Sequence, residues 1–304
     1  MYNRGDSVRD AEFGTFEWIL GEDYESQVDE ELTYEMKQKR RRVNLQCTKE
    51  EIQHTRQLRL QTRSTFLEWL STGNQIFHIS GQAGSGKSTL MKLLGSHSRA
   101  RKELDKWSGN KKLVFAQFFA WTAGSDSMQY SLHGLCRSIL FTVLKQCPEL
   151  IPEVFPDAYC TILDNKYERH IDEPLFRLPV LREALKKLTT ISPNRKYCFC
   201  ILIDGLDEFQ GNSTSDIDHY DLAHILTSWA KNDNVKLLVS SRPYDAFMST
   251  FPSESRIELH RLTTPDIMRY GRRKFEENNS FDCVKDCYIK LVDEVVENSQ
   301  GVFL

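Results

Sequence analysis

The stretch Gly81-Gln82-Ala83-Gly84-Ser85-Gly86-Lys87-Ser88-Thr89 constrains this chain more than any other. It has the form GxxxxGK[ST]. A short apolar run, Ile76-Phe77-His78-Ile79, precedes it, and Thr89-Leu90-Met91-Lys92-Leu93-Leu94 follows with apolar residues at helical spacing. Strand, glycine-rich loop and helix in that order make a cradle for phosphate. The glycines let consecutive backbone N–H groups turn inward without a Cβ clash, and the helix N-terminus adds partial positive charge. In such a loop Lys87 reaches the β- and γ-phosphates and the Ser88 hydroxyl ligates Mg²⁺.

A second stretch supplies the acidic counterpart. Tyr197-Cys198-Phe199-Cys200-Ile201-Leu202-Ile203 reads as a buried strand and ends in Asp204-Gly205-Leu206-Asp207-Glu208. A strand that delivers a carboxylate at its C-terminal end can hold Mg²⁺, because that end faces the same crevice as the loop. Asp204 is the expected metal-side carboxylate, and Asp207 and Glu208, one turn further, are candidates to polarise an attacking water. A third run, Val235 to Ser240, ends in Ser241-Arg242-Pro243. Arg242 at that tip either senses a γ-phosphate or serves as a structural cation; the residues alone leave both readings open.

The remaining pattern is that of an α/β fold, a parallel sheet flanked by helices. Leu113 to Trp121 is apolar enough for a strand buried on both faces, and Ser131 to Gln146 and Val180 to Leu188 read as helices. Arg63 to Leu70 reads as a short helix capped by Ser64 or Thr65, Arg99 to Lys112 as a charged hinge, and Ser255 to Leu262 as a further strand. Prolines 148, 152, 156 and 174 predict irregular structure or short helices between Cys147 and Leu178. A helical region begins with Thr264 as cap and Pro265 in the first turn. Three parts are expected: a charged helical linker over 1–62, a nucleotide-binding domain over 63–262, and the start of a helical subdomain over 263–304. The apolar ending Gly301-Val302-Phe303-Leu304 sets the expectation that a longer protein continues beyond it.

The chain has 304 residues, 27% of them charged, with a net charge of −3, so no global basic footprint argues for nucleic acid. The basic run Lys37 to Arg42 is local and follows Asp29, Glu30, Glu31 and Glu35, which favours a self-compensating solvated helix face over a nucleic-acid or nuclear-import patch. No window of about 18 uncharged apolar residues occurs, and Met1 to Asp10 has no apolar core, so neither a membrane span nor a secretory leader is expected. The expected location is the cytoplasm, with the nucleus as the alternative. The cysteines at 47, 136, 147, 160, 198, 200, 283 and 287 form no CxxC pair and no zinc-type spacing, and several sit in apolar runs as reduced core thiols.

GQAGSGKST, ILIDGLDEF, LLVSSRP and IELHRLTTPDI together resemble the NACHT-type nucleotide-binding domains of fungal NOD-like proteins of the heterokaryon-incompatibility class, also catalogued as nephrocystin-3-like N-terminal domains. The resemblance covers about residues 60–304. It implies an ATP/ADP switch, closed with ADP and homo-oligomeric with ATP, that engages an effector and a sensor not identifiable from the sequence. It assigns phosphate and Mg²⁺ to Lys87 and Ser88, Mg²⁺ to Asp204, hydrolysis to Asp207 and Glu208, and sensing to Arg242. Two departures stand out: the family's winged-helix and repeat domains are missing from this sequence, and Gly301 to Phe303 lacks the proline of the family's Gly-x-Pro motif. A non-hydrolytic nucleotide-binding scaffold and a small-molecule kinase are the competing readings, the latter disfavoured by DGLDE and SRP on neighbouring strands.

Overall fold

Strands made of apolar runs must be covered on both faces, and the structure shows how this chain does so. A computed structural model describes residues 4–12, 14–21, 45–123, 126–163, 176–191, 196–210, 217–277 and 288–303. The basic run Lys37 to Arg42 lies outside the described residues. In chain order the elements begin with α1 (Arg4–Ser7), α2 (Glu17–Leu20), α3 (Leu45–Ser71), β1 (Gln75–Ser80), α4 (Lys87–Ser96), α5 (Ser98–Ser108) and β2 (Lys112–Phe119). They continue with α6 (Leu132–Gln146), α7 (Ile151–Val154), α8 (Pro156–Leu163), α9 (Leu178–Ile191), β3 (Tyr197–Asp204) and α10 (His219–Trp229). The last are β4 (Val235–Ser241), α11 (Asp245–Thr250), β5 (Arg256–Glu258), α12 (Thr264–Glu276) and α13 (Tyr288–Ser299).

The five strands form one sheet in the order β2-β3-β4-β1-β5, with every pairing parallel. The fold is α/β, a parallel sheet with helices on both faces. Alternate residues of the strands feed opposite faces, as the two-residue period of a strand requires. Val114, Ala116, Phe199, Ile201 and Leu237 pack with α6, α9 and α10, while Phe77, Ile79, Cys200, Leu202 and Leu238 pack with α3, α4 and α5. Each such fully buried side chain stabilises the sheet by roughly 1.5–3 kcal/mol. All seven residues of β4 are buried, which makes it the hydrophobic centre of the sheet.

The register sets which residues meet at the strand ends. Ser80 of β1 stands opposite Ser241 of β4, and Phe119 of β2 opposite Asp204 of β3, so the C-terminal tips of these strands meet at one edge. Because β4 lies between β1 and β3, its tip separates the loop after β1 from the acids after β3.

Several local expectations change. The helix expected over 63–70 is the end of α3, which continues through Ser64 and Thr65 without a cap. No Gly or Pro interrupts residues 45–71, and the buried Arg59 and Arg63 dock its charged half. Residue 63, the expected start of the nucleotide-binding domain, therefore lies within a helix. The charged hinge over 99–112 is largely α5: His97 accepts from the Arg99 N–H, and Ala100 and Leu104 are buried at i and i+4. The strand over 255–262 shortens to three residues followed by a 3₁₀ turn. Thr263, not Thr264, precedes α12, and its hydroxyl is spent on the Gly301 carbonyl at 2.8 Å. Among the described residues Cys136, Cys147, Cys160, Cys198 and Cys200 carry free thiols, and burial pushes those of Cys136 and Cys200 up to about 12.

Candidate functional site

The loop leaves β1 at Gly81, whose N–H donates to the Ser241 carbonyl at 3.1 Å. Gly84 and Gly86 take φ values of 76° and 87°, in the left-handed region that favours glycine. Gly86 is also the residue from which α4 starts, and it accepts the first helical bond from the Leu90 N–H at 2.9 Å. These conformations aim the loop at the N-terminus of α4, so the partial positive charge of that end falls on the cradle. Gln82, Ala83 and Gly84 are exposed, Ser85 is buried, and Gly86 to Thr89 are half-buried. The Lys87 ammonium lies back along the loop and donates to the carbonyls of Gly81 at 2.7 Å and Gln82 at 2.9 Å. Burial pushes its pKa below the usual lysine range, and the nearby Asp207 and Asp204 oppose that shift.

Asp204, 1% exposed, ends β3. Its Oδ1 accepts from the Ser240 hydroxyl at 2.5 Å, and the same hydroxyl accepts from the Gly205 N–H at 3.0 Å. The second oxygen, Oδ2, is buried without a hydrogen-bond partner. Burial raises the Asp204 carboxyl, while the Ser240 hydrogen bond, the neighbouring Ser88 hydroxyl and the charges of Arg4 and Lys87 pull it back. An unpartnered buried carboxylate oxygen beside a serine hydroxyl is a donor set that fits a hard cation such as Mg²⁺, which needs only one or two carboxylates when phosphate supplies the rest. No group of three or more His, Cys, Asp or Glu suited to a metal occurs among the described residues.

After Gly205 a 3₁₀ turn, Leu206–Glu208, brings Asp207 and Glu208 back toward the crevice. Asp207 accepts from the Arg242 N–H at 2.9 Å and pairs with Arg242 Nε at 3.0 Å, so the acidic turn and the β4 tip are tied together. Glu208 pairs instead with Arg4 at 2.9 Å, and its other oxygen accepts from the Thr122 N–H at 2.8 Å. The predicted residues thus converge on one cleft of about 480 Å³, a size suited to a small organic ligand. Ala83, Gly84, Gly86, Lys87, Ser88, Thr89, Asp204, Asp207, Glu208 and Arg242 line it; Gly81, Gln82 and Ser85 support the loop from outside that lining.

Two walls of the cleft carry no motif. The segment over 4–16, expected to be linker, contributes Arg4, Arg9, Asp10, Glu12, Thr15 and Phe16. It is anchored by Trp18, Ile19 and Leu20, which are buried in the same core as α3 and α4. At the other side the Phe303 N–H donates to the Gly84 carbonyl at 2.9 Å, and its ring sits between Phe16, 6.0 Å away, and Tyr270, 6.1 Å away. In the sequence, Phe16, Trp18, Ile19 and Leu20 form a short apolar and aromatic patch, a signal that this segment packs; nothing local marks Arg4.

A family model described as Nephrocystin 3, N-terminal, matches residues 55–242. The chain belongs to that family. The nephrocystin 3 N-terminal match runs from within α3 to Arg242 and so contains the loop, Asp204, Asp207 and Glu208; it leaves Arg4, Phe16 and Phe303 outside. Among solved structures, the Aeropyrum pernix ORC2 protein, in its ADPNP-ADP complexes, is 13% identical with a TM-score of 0.35, over 75% of this chain and 52% of that one. Drosophila ORC bound to DNA is 12% identical with a TM-score of 0.33, over 83% of this chain and 55% of that one. The chain spans about half the length of these structures. No curated protein matches it. No helix among the described residues is long and apolar enough to cross a membrane.

Proposed function

We propose that this chain is an ATP/ADP-binding signalling switch with slow Mg²⁺-dependent hydrolysis, of the NACHT type met in fungal NOD-like proteins. The observation that carries this reading is the convergence of the loop after β1, the acids after β3 and Arg242 after β4 on one edge of the parallel sheet. The loop N–H groups and Lys87 bind the phosphates, with Lys87 exchanging its loop carbonyls for phosphate oxygens. Ser88 and Asp204 are the residues that would hold Mg²⁺, whose chemistry when bound is neutralisation of phosphate charge. Glu208 accepts the proton of the attacking water as that oxygen bonds to the γ-phosphorus; the bond to the bridging oxygen breaks and its electron pair leaves with ADP. Arg242, tied to Asp207, reports whether a γ-phosphate is present.

Such a contact made in one nucleotide state and not the other shifts a population of conformers, and homo-oligomerisation in the ATP state is the output proposed here. Cytoplasmic location and an effector partner belong to the same proposal. The test is equilibrium binding of Mg-ATP and ADP to the wild type and to Lys87→Ala. Loss of charge-assisted contacts predicts about 10- to 100-fold weaker binding in the variant, and equal affinity refutes the reading.

A second reading, a non-hydrolytic scaffold, is favoured by the ion pairs that occupy both Asp207 and Glu208. Tight nucleotide binding with no turnover by the wild type would establish it.

A further inference from the structure

Both oxygens of Glu208 are engaged. Its Oε1 accepts from Arg4 Nη1 at 2.9 Å, and its Oε2 accepts from the Thr122 N–H at 2.8 Å and the Thr122 hydroxyl at 3.2 Å. The same Arg4 nitrogen donates to the Ala120 carbonyl at the end of β2, and the guanidinium lies over the Trp121 ring, 5.8 Å from its centroid. Water in the cleft has to compete with these partners, one of them a cation, for the carboxylate.

We propose that Arg4 is a restraint built into the chain, by which the N-terminal helix α1 holds Glu208 out of use until the Arg4 pair opens. This rests on the hydrolytic role given to Glu208 above. Arg4 lies outside the family match, so the restraint is a property of this chain's own N-terminal segment. The latch is suited to opening. Helix α1 has only four residues, and the two paired side chains keep 19% and 22% of their surface exposed, so the latch is short and within reach of water. Arg4 lines the same cleft as Lys87 and Ser88, so opening of the pair frees Oε1 on the cleft side. Arg4 is a positioning residue in this scheme, acting through Glu208.

The experiment compares wild type, Arg4→Met, Arg4→Ala, Glu208→Gln and the double variant Arg4→Met/Glu208→Gln. Methionine keeps an unbranched stem over Trp121 while removing the charge, and an unchanged melting temperature establishes that the variant is folded. With Mg-ATP, Arg4→Met raises kcat about tenfold with KM within about twofold, the size expected for losing one charge-assisted hydrogen bond, and the gain vanishes in the double variant. Without nucleotide, Glu208→Gln speeds amide hydrogen exchange over residues 4–8, where the Val8 N–H bonds to the Arg4 carbonyl, by about tenfold.

If Glu208→Gln abolishes turnover while both Arg4 variants leave kcat unchanged or lower it, the restraint is overturned and the proposed function stands. If turnover survives Glu208→Gln, or no protein in the set turns over, the hydrolytic reading fails and takes the restraint with it. Exchange that is identical in wild type and Glu208→Gln also overturns the restraint.

Discussion

Asp266 is the most informative single residue to remove, because three separated parts of the chain meet on it. Its Oδ2 accepts from Arg59 Nη2 of α3 at 2.9 Å and from the Trp18 indole N–H of α2 at 3.1 Å, while Asp266 itself opens α12. Arg59 also donates to the Leu262 carbonyl, and its guanidinium lies over the Trp18 ring at 5.3 Å. The paired side chains are 4% and 1% exposed. Burial pushes the Asp266 carboxyl up, and Arg59, Arg269 and Trp18 pull it back toward the charged form. Asp266→Ala strands the guanidinium in a dry site, which costs about 3–5 kcal/mol, far more than an exposed pair would. With a urea m-value of about 3 kcal/mol/M for a chain of this size, the midpoint falls by about 1–1.7 M. Urea titration followed by tryptophan fluorescence reads this directly. The control is Arg59→Met/Asp266→Leu, which removes both charges and should recover most of the loss. A midpoint shift below about 0.3 M in Asp266→Ala, or a double variant as weak as the sum of the single ones, refutes the pairing argument.

Two other perturbations test the cleft and its support. A Cβ on Gly86 would stand 2.7 Å from Phe16 Cζ with the backbone at φ 87°, so Gly86→Ala should cost about 1–2 kcal/mol of stability and weaken nucleotide binding about tenfold; thermal melting and calorimetry unchanged from wild type would contradict this. His78 is buried with Nε2 on the Ser241 hydroxyl at 2.8 Å, and burial, with Arg256 and Lys87 nearby, lowers its pKa to about 3. The unfolded chain takes up that proton near the ordinary 6.5 and the folded one does not, so His78 costs stability as pH falls from 6.5 toward 3, at up to about 1.4 kcal/mol per pH unit. Replacing it with Gln should flatten the decline of stability between pH 6.5 and 5 by about one proton, and an unchanged slope would remove His78 as its source.

Strands β1, β3 and β4 were legible because each is an apolar run that ends in chemistry: Ser80 before the loop, Asp204 before Gly205, Ser241 before Arg242. A parallel sheet buried on both faces forces that pattern, and its C-terminal edge is where the reactive residues must fall. Two helices were less legible. In α5 and the first half of α3 the apolar positions are few and their charges are dense, so helical periodicity is carried by Ala100 and Leu104 or by docked arginines such as Arg59. Nothing local marked Arg4 as a wall of the cleft, and the apolar character of the stretches around Phe16 and Phe303 does not say what they pack against. They are placed by contacts between residues hundreds of positions apart, such as Trp18 with Asp266 and Arg4 with Glu208, and no spacing rule encodes those.

The position of β4 between β1 and β3 sets an order of events during synthesis. His78 and Ser241, whose side chains bond across the β1–β4 pair, are 163 apart in the chain, and β5, the other neighbour of β1, comes later still. At about 5–20 residues per second, β1 waits roughly 8–30 s for its first partner. During that interval the apolar strand Gln75–Ser80 has no ladder to join, and the Gly81 N–H has no Ser241 carbonyl to fix the loop. The glycine-rich loop is thus written early and shaped late. A ribosome-bound chain that has not yet delivered β4 carries every residue of the loop without its geometry, and nucleotide can stabilise the fold only after the sheet has closed around it.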